Sequence, residues 1–127
     1  MVKNKKKILL VEDDAMISSI YKAKFEADGF EVLVAVDGIN GLELAKKEKP
    51  TIIILDVILP GLDGFSVLEE IKKDKALKTI PVIVLTNLGT EDDRKKGQEM
   101  GALDYLVKAS LTPGQISEKI KQALKIK

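Results

Sequence analysis

Five short apolar runs, of which only the last contains a charged residue, alternate along this chain with segments whose apolar residues recur at helical spacing. The runs occupy residues 8–11, 32–36, 52–55, 82–85 and 103–107. Each is followed by a segment of helical period, and the last of these begins at Thr112 with Pro113 in the first helical position. Strands that lack polar alternation, when helices separate them, are typical of a parallel sheet covered on both faces. The pattern therefore predicts a doubly wound α/β fold of five βα units.

Composition narrows the classes of function that such a fold can serve here. The chain has 127 residues with 21 basic and 20 acidic side chains, so its net charge of +1 gives no argument for contact with nucleic acid or an anionic membrane. Its apolar runs are too short for a membrane span or a signal peptide. Residues 1–6 hold most of the basic cluster near the N-terminus, and we expect them to form a flexible, solvated arm.

Two residue types are absent from the sequence. Without cysteine the chain has no disulfide and no thiol chemistry, which fits a reducing cytoplasm. Without histidine it has no Ser-His-Asp triad, no histidine metal site and no phosphohistidine of its own. The chemistry that remains is that of carboxylates, hydroxyls and amines.

Polar side chains follow the apolar runs at the points where the predicted strands end. They are Glu12, Asp13 and Asp14 after the first run, Asp56 after the third, Thr86 at the end of the fourth and Lys108 after the fifth. In folds of this class, ligands bind outside the carboxyl ends of the strands. Asp14 has a structural explanation as the N-cap of the first helix. The other carboxylates, placed together, would repel one another unless a cation relieved them.

This set of side chains predicts a site for phosphoryl transfer. Mg²⁺ prefers oxygen ligands, is held by few carboxylates and completes its coordination with water and phosphate oxygens. Asp56 can act as a nucleophile, since carboxylates form aspartyl-phosphate intermediates. The ammonium of Lys108 and the hydroxyl of Thr86 would then bind oxygens of the phosphoryl group.

Four motifs give the chain a resemblance to a known family. They are ILLVEDD at residues 8–14, IIILDVILPGLDG at 52–64, PVIVLT at 81–86 and DYLVK at 104–108. On these residues the chain resembles the response-regulator receiver domains of two-component signalling, the CheY-like family, over residues 7–125. The resemblance implies one receiver domain over residues 1–127, with a flavodoxin-like fold and a five-stranded parallel sheet in the order 2-1-3-4-5.

The resemblance also implies a role for each residue of the site. Asp56 would be the phosphoacceptor, and it would bind Mg²⁺, or Mn²⁺ in its place, together with Asp13 and the backbone carbonyl of Ile58. Glu12 would reach the metal through water, and Lys108 would bind a phosphoryl oxygen. All five residues stand at positions of the matching motifs.

By the same resemblance, a switch would report phosphorylation. Thr86 would move its hydroxyl to the phosphoryl group, and Tyr105 would turn inward as Thr86 moves. The surface formed by the fourth helix, the fifth strand and the fifth helix would then change its affinity for a partner. The composition itself supports a mobile fourth helix, because EDDRKKGQEM at 91–100 offers only Met100 as a large apolar anchor and contains Gly97.

The partners that the resemblance implies are proteins. Because the chain holds no histidine, the phosphoryl group would come from the phosphohistidine of a sensor histidine kinase or a phosphotransfer protein, or from a small phosphodonor. The domain would act as a cytoplasmic switch rather than an enzyme, on an unidentified downstream protein, without direct contact with nucleic acid or membrane. We expect a monomer or a weak, phosphorylation-dependent dimer, either as a stand-alone regulator or as the receiver of a longer protein.

Several residues near the site depart from the family's usual pattern. Ala109 follows Lys108 where the family usually has proline after a cis peptide bond. We expect this bond to stay cis so that the ammonium can reach the site, although a cis bond before a non-proline residue costs about 2.5–4 kcal/mol. Asn87 stands where a smaller residue is usual, and we expect it to narrow access for the phosphodonor. Ile58 and Leu88 would flank the phosphoryl group, and neither can position an attacking water, so we expect slow self-dephosphorylation.

Two other functions fit the sequence less well. An Mg²⁺-dependent phosphatase or phosphotransferase with an aspartate nucleophile usually has a second acid two residues beyond it, where this chain has Ile58. A nucleotide or flavin carrier would need a glycine-rich loop after the first strand. The segment VEDDAM at 11–16 places acids there instead, and these repel phosphates.

Overall fold

The computed structural model describes residues 5–126, which form a five-stranded parallel sheet with helices on both faces. The strands are β1 (Lys7–Val11), β2 (Glu31–Ala35), β3 (Ile52–Leu55), β4 (Val82–Thr86) and β5 (Asp104–Val107). Their order across the sheet is β2-β1-β3-β4-β5, and each neighbouring pair is parallel. The predicted fold class and strand order are therefore confirmed.

Helices connect the strands and cover the sheet. They are α1 (Ala15–Ala27), α2 (Gly38–Glu48), α3 (Gly64–Lys73), α4 (Glu91–Glu99) and α5 (Pro113–Leu124), with a 3₁₀ turn (Lys108–Ser110) before α5. The side chains that cap their N-termini are Asp14, Asp37, Asp63, Thr90 and Thr112, in that order. Each cap accepts a hydrogen bond from a backbone N–H that has no partner within the helix, and so fixes where the helix begins. The N-cap role predicted for Asp14 is confirmed.

The central strands are buried on both faces because successive side chains point to opposite sides of a sheet. Ile8 of β1 packs in one apolar cluster with Phe25 of α1 and Ile116 of α5. Its neighbour Leu9 packs on the other face in a cluster that includes Leu68 of α3. Full burial of such a side chain contributes about 1.5–3 kcal/mol. The unbroken apolar runs therefore stabilise the fold from both sides.

The register of the central strands determines which residues meet at the carboxyl edge. Val11 pairs with Leu55, so β1 and β3 end side by side. The pairing continues one step further, because the Asp56 N–H donates to the carbonyl of Val11 at 3.1 Å. On the other side of β1, the Glu12 N–H donates to the carbonyl of Ala35 at 2.9 Å. Backbone hydrogen bonds thus place Glu12 and Asp56 next to each other.

Two residues of the predicted runs lie outside the strands. Val36 and Leu103 are both exposed, because β2 ends at Ala35 and β5 begins at Asp104. Each is an apolar residue next to a strand, so a prediction based on apolar character alone included one residue that lies beyond the end of that strand. Strand boundaries therefore depend on pairing as well as on hydrophobicity.

The basic arm predicted over residues 1–6 falls largely outside the described residues. Lys5 and Lys6, at its end, are exposed and precede β1. Among the helices of residues 5–126, none has both the length and the apolar character that crossing a bilayer requires.

Candidate functional site

Three carboxylates lie together at the carboxyl edge of the sheet. Glu12 and Asp13 follow β1, Asp56 follows β3, and each offers an oxygen within 4.8 Å of the others. Glu12 is 2% exposed and Asp56 5% exposed, whereas Asp13 faces solvent. Glu12 and Asp56 are thus buried at the edge of the sheet, while Asp13 is accessible to a cation from solvent.

The ammonium of Lys108 lies between the two buried carboxylates. Its Nζ is 2.6 Å from Asp56 Oδ2 and donates a second hydrogen bond to Glu12 Oε1. Burial lowers the pKa of Lys108, but hydrogen bonds to Asp56 and Glu12 outweigh burial and raise this pKa above its usual value. Burial raises the pKa of Glu12, although its hydrogen bond with Lys108 opposes that change. Lys108 therefore offsets part of the negative charge of the cluster.

Backbone groups fix the orientation of Asp56. The Ile58 N–H donates to Asp56 Oδ1 at 2.9 Å, so one carboxylate oxygen is held by the main chain and the other by Lys108. The start of α3 lies against the same segment: a Cβ on Gly64 would stand 2.2 Å from the Asp56 carbonyl oxygen and 2.3 Å from Val57 Cα. Any side chain at position 64 would push α3 away from Asp56. Sequence reasoning overlooked Gly64, and its signal was a glycine that follows a helix-capping aspartate.

The two apolar residues expected to flank a phosphoryl group differ in their surroundings. Ile58 is 56% exposed. Leu88 is half-buried and packs against the cluster of Val57, Val84 and Tyr105. The carbonyl of Ile58 as a metal ligand, and the effect of Ile58 and Leu88 on phosphoryl lifetime, stay predictions.

Thr86 and Tyr105, the predicted switch residues, are both buried near the end of the sheet. Thr86 Oγ1 accepts a hydrogen bond from the Leu88 N–H at 3.3 Å, and the Tyr105 hydroxyl donates to the Leu88 carbonyl. The Tyr105 ring also lies against Gly97 of α4 and 5.8 Å from the guanidinium carbon of Arg94. Tyr105 therefore already points inward while Thr86 is bonded within its own loop. Its coupling to a movement of Thr86 stays a prediction.

The packing of α4 agrees with its composition. Gly97 is the buried residue of this helix, and Met100, just beyond the helix end, is only partly buried. A helix that buries so little apolar surface is held weakly, and elements that move are drawn from such weakly held parts.

The peptide bond between Lys108 and Ala109 is trans, since residues 5–126 contain no cis peptide bond. The prediction of a cis bond is therefore wrong. After β5 the chain enters the 3₁₀ turn, and there the Ala109 N–H donates to Asn87 Oδ1 at 3.1 Å. In this turn the Lys108 ammonium reaches Asp56 without a cis bond.

Asn87 has a structural partner that sequence reasoning missed. It follows β4, is exposed, and links to the loop after β5 through Ala109. The signal was present in the sequence, because alanine at position 109 keeps the N–H that proline lacks. The access role predicted for Asn87 stays a prediction.

The donor set fits a hard divalent cation. Glu12, Asp13 and Asp56 offer carboxylate oxygens, which suit Mg²⁺ and Mn²⁺. Such an ion would relieve the mutual repulsion of the three acids. These are the residues of the described chain that could hold it.

Comparison with known proteins decides the family. The family model described as "Response regulator receiver domain" matches residues 8–121. The chain belongs to this family.

Similar proteins place this receiver domain among response regulators. It is 40% identical over 122 residues to the probable transcriptional regulator ycf27 of Cyanophora paradoxa, covering 96% of this chain and 49% of that protein. A putative response regulator from Chloroflexus aurantiacus has a similar structure, with a TM-score of 0.89, 30% identity and coverage of 96% of this chain and 99% of that one. The Mn²⁺-bound form of the response regulator Rcp1 matches with a TM-score of 0.81, 32% identity and 92% of each chain. The receiver domain spans about half the length of the curated relatives it matches.

Proposed function

We propose that this receiver domain accepts a phosphoryl group on Asp56 from the phosphohistidine of a sensor histidine kinase or a phosphotransfer protein, in an Mg²⁺-dependent reaction. The observation that carries the proposal is the arrangement of one ammonium, from Lys108, and two further carboxylates, from Glu12 and Asp13, around Asp56 at the open end of the sheet. Membership of the receiver family supports it. The Mn²⁺-bound form of the similar protein Rcp1 supports a divalent ion at such a site.

The residues of the site have distinct tasks in this transfer. A bond forms between a carboxylate oxygen of Asp56 and phosphorus while the bond from phosphorus to the donor nitrogen breaks, and its electron pair stays on the imidazole. The Ile58 N–H holds the carboxylate in one orientation, which limits the motion of the nucleophile. Lys108, already 2.6 Å from Oδ2, is close enough to pair with an oxygen of the bound phosphoryl group. Mg²⁺ held by Asp13 and Asp56, with Glu12 acting through water, would neutralise charge on the transferred group.

The expected consequence of phosphorylation is a change at the surface formed by α4, β5 and α5. Thr86 and Tyr105 both contact Leu88, Thr86 by accepting a hydrogen bond from its N–H and Tyr105 by donating one to its carbonyl. A movement of Thr86 toward the phosphoryl group would therefore disturb the loop that holds Tyr105. A cavity of about 250 Å³ opens on the surface beside Arg94 and Tyr105. Because the packing of α4 is sparse, a small rearrangement behind it can alter what the surface binds.

The downstream partner that we propose is a protein. Similar proteins are named as transcriptional regulators and are about twice as long as this chain. This supports an output that reaches DNA through another domain or partner, with no direct contact between the receiver and nucleic acid. We also propose a cytoplasmic location and a monomer, or a weak dimer that depends on phosphorylation.

The proposal makes the domain a switch rather than an enzyme with external substrates. Position 58 holds Ile where a phosphatase with an aspartate nucleophile usually has a second acid. No continuous release of product from p-nitrophenyl phosphate is therefore expected. Sustained turnover would favour the phosphatase alternative instead.

The decisive experiment is to incubate the protein with Mg²⁺ and acetyl phosphate and to measure its mass. We expect one added phosphoryl group that disappears in Asp56→Ala and that chelation of the metal prevents. The matched control is Asp37→Asn, which changes an acid that caps α2 and should leave labelling intact. Labelling that survives in Asp56→Ala would place the acceptor elsewhere and reject the proposal.

A further inference from the structure

A side-chain hydrogen bond ties together the two loops that follow β4 and β5. Asn87 Oδ1 accepts a hydrogen bond from the Ala109 N–H at 3.1 Å, although the two residues are 22 positions apart. Strand register explains the meeting, because Thr86 pairs with Val107 at the ends of β4 and β5. The next residues of both strands therefore leave the sheet side by side.

We propose that Asn87 is a positioning residue for phosphoryl transfer, acting through Ala109 to hold Lys108 against Asp56. This inference rests on the proposed function of the same site. Lys108 is the first residue of the 3₁₀ turn, and Ala109 is the next. Fixing the amide of Ala109 therefore fixes the backbone from which the lysine side chain extends.

The turn has few other restraints. Its backbone hydrogen bond, from the Leu111 N–H to the Lys108 carbonyl, is long at 3.4 Å, and no side chain caps the turn. Ala109 is exposed and contributes only a methyl group to local packing. Short 3₁₀ turns have poorer hydrogen-bond geometry than α-helices, so an added acceptor helps to order them. Asn87 supplies that acceptor.

The position of Lys108 matters because its ammonium must serve two buried carboxylates at once. It contacts Asp56 and Glu12 from a side chain with four rotatable methylene groups. A small displacement of the turn would move the ammonium away from Asp56, and misplaced groups lose much of their catalytic effect. We therefore expect the acceptor at position 87 to affect the rate of phosphoryl transfer and not merely access to the site.

Variants at position 87 separate positioning from access. Asn87→Ala removes both the acceptor and the bulk, Asn87→Leu removes the acceptor and keeps the bulk, and Asn87→Asp keeps a carboxylate acceptor. We expect both the alanine and the leucine variant to be labelled by acetyl phosphate about tenfold more slowly at saturating Mg²⁺, a change of about 1.4 kcal/mol in the barrier. Asn40→Ala, an exposed asparagine on α2, is the matched control with an unchanged rate.

Hydrogen exchange distinguishes a local effect at Ala109 from a general loss of stability, because a general loss would also speed the exchange of amides in β1 and β3. The amide of Ala109 should exchange slowly in the wild type and in Asn87→Asp, and rapidly in Asn87→Ala and Asn87→Leu, while amides of β1 and β3 keep their protection. An alanine variant that is labelled as fast as the wild type, or faster, overturns the positioning role and leaves the proposed function standing. A wild-type protein that takes no phosphoryl group on Asp56 overturns both.

Discussion

Lys108 Nζ lies 2.6 Å from Asp56 Oδ2, although β4 lies between the strands that carry the two residues. The lysine side chain therefore crosses the end of a strand to reach the carboxylate. The same ammonium contacts Glu12, which follows β1 on the far side of β3, so the side chains that follow β1, β3 and β5 meet at one point. This convergence places both Asp56 and its positive partner at the open edge of the sheet.

Removing the Lys108 ammonium should destabilise the protein most when no metal is present. Lys108→Met keeps the apolar stem but leaves Glu12 and Asp56 without their hydrogen-bonded positive partner, and hydrogen bonds to charged groups contribute about 1.5–3 kcal/mol each. Bound Mg²⁺ would replace part of that positive charge. We expect the loss in the free energy of unfolding, measured with urea, to be smaller in saturating Mg²⁺ than in chelator.

A second, partly buried lysine provides the control for that experiment. Lys72 donates to the backbone carbonyls of Lys78 and Ile80 and lies away from the acidic cluster. The loss caused by Lys72→Met should not depend on Mg²⁺. If Lys108→Met shows the same independence, the ammonium and the metal do not share the site.

Polar residues beside Asp56 should shorten the life of the phosphorylated state. Ile58→Asn and Leu88→Glu each provide a group that can orient water toward phosphorus, and one such interaction of about 1.4 kcal/mol in the transition state gives about a tenfold faster loss. The decay of the acyl phosphate, followed by mass after removal of the donor, measures it. Ile39→Asn is a matched control, because Ile39 is 58% exposed and Ile58 56%. Unchanged decay in both site variants would contradict the prediction.

The hydrogen bond from Ser117 to Asp28 should make stability depend on pH. Ser117 Oγ donates to Asp28 Oδ2 at 2.5 Å, and this bond, the largest influence, lowers the pKa of Asp28 below its usual value. A carboxyl whose pKa is lower in the folded state stabilises the fold at pH values above its unfolded pKa, which is about 3.9 for aspartate. That stabilisation is lost as the pH falls through the pKa of the folded state. Ser117→Ala should therefore lower the melting temperature near pH 7 more than at acidic pH.

The comparison needs a serine whose hydroxyl does not meet a carboxylate. Ser19 donates to the carbonyl of Met16 within α1. Ser19→Ala should change the melting temperature equally at both pH values. A difference for Ser117→Ala that stays constant with pH would show that Asp28 does not respond to the hydroxyl.

A methyl group at position 97 should loosen α4. A Cβ there would stand 2.8 Å from Cδ2 of Tyr105, and overpacking of this kind costs about 1–3 kcal/mol, against at most about 1 kcal/mol gained from helix propensity. We expect Gly97→Ala to speed hydrogen exchange of α4 amides. Gly114→Ala in α5, whose Cβ would have no contact closer than 3.8 Å, should show no such effect. Slower hydrogen exchange of the α4 amides would contradict this prediction, because it would mean that Tyr105 and α4 accommodate the methyl group without loss of stability.

The fold and the members of the site were predictable from local sequence. Unbroken apolar runs predict a sheet buried on both faces, and the register of such a sheet then brings the residues after the strands to one edge. The identities of Glu12, Asp13, Asp56 and Lys108 as neighbours followed from that rule, and the structure brings them together. Capping chemistry is equally local, which is why the helix start at Asp14 was predictable.

Contacts between distant segments depend on the folded arrangement of the strands and helices. The hydrogen bond between Asn87 and Ala109 and the contact of the Tyr105 ring with Gly97 each join residues that different strands and helices bring together. The trans bond between Lys108 and Ala109 lies in the turn to which the first of these contacts is made. The pattern of apolar residues predicts which side chains are buried, but it does not predict which acceptor binds a given backbone N–H. Local sequence specifies which groups lie at the edge of the sheet, whereas the register of the folded strands fixes which of those groups bind one another.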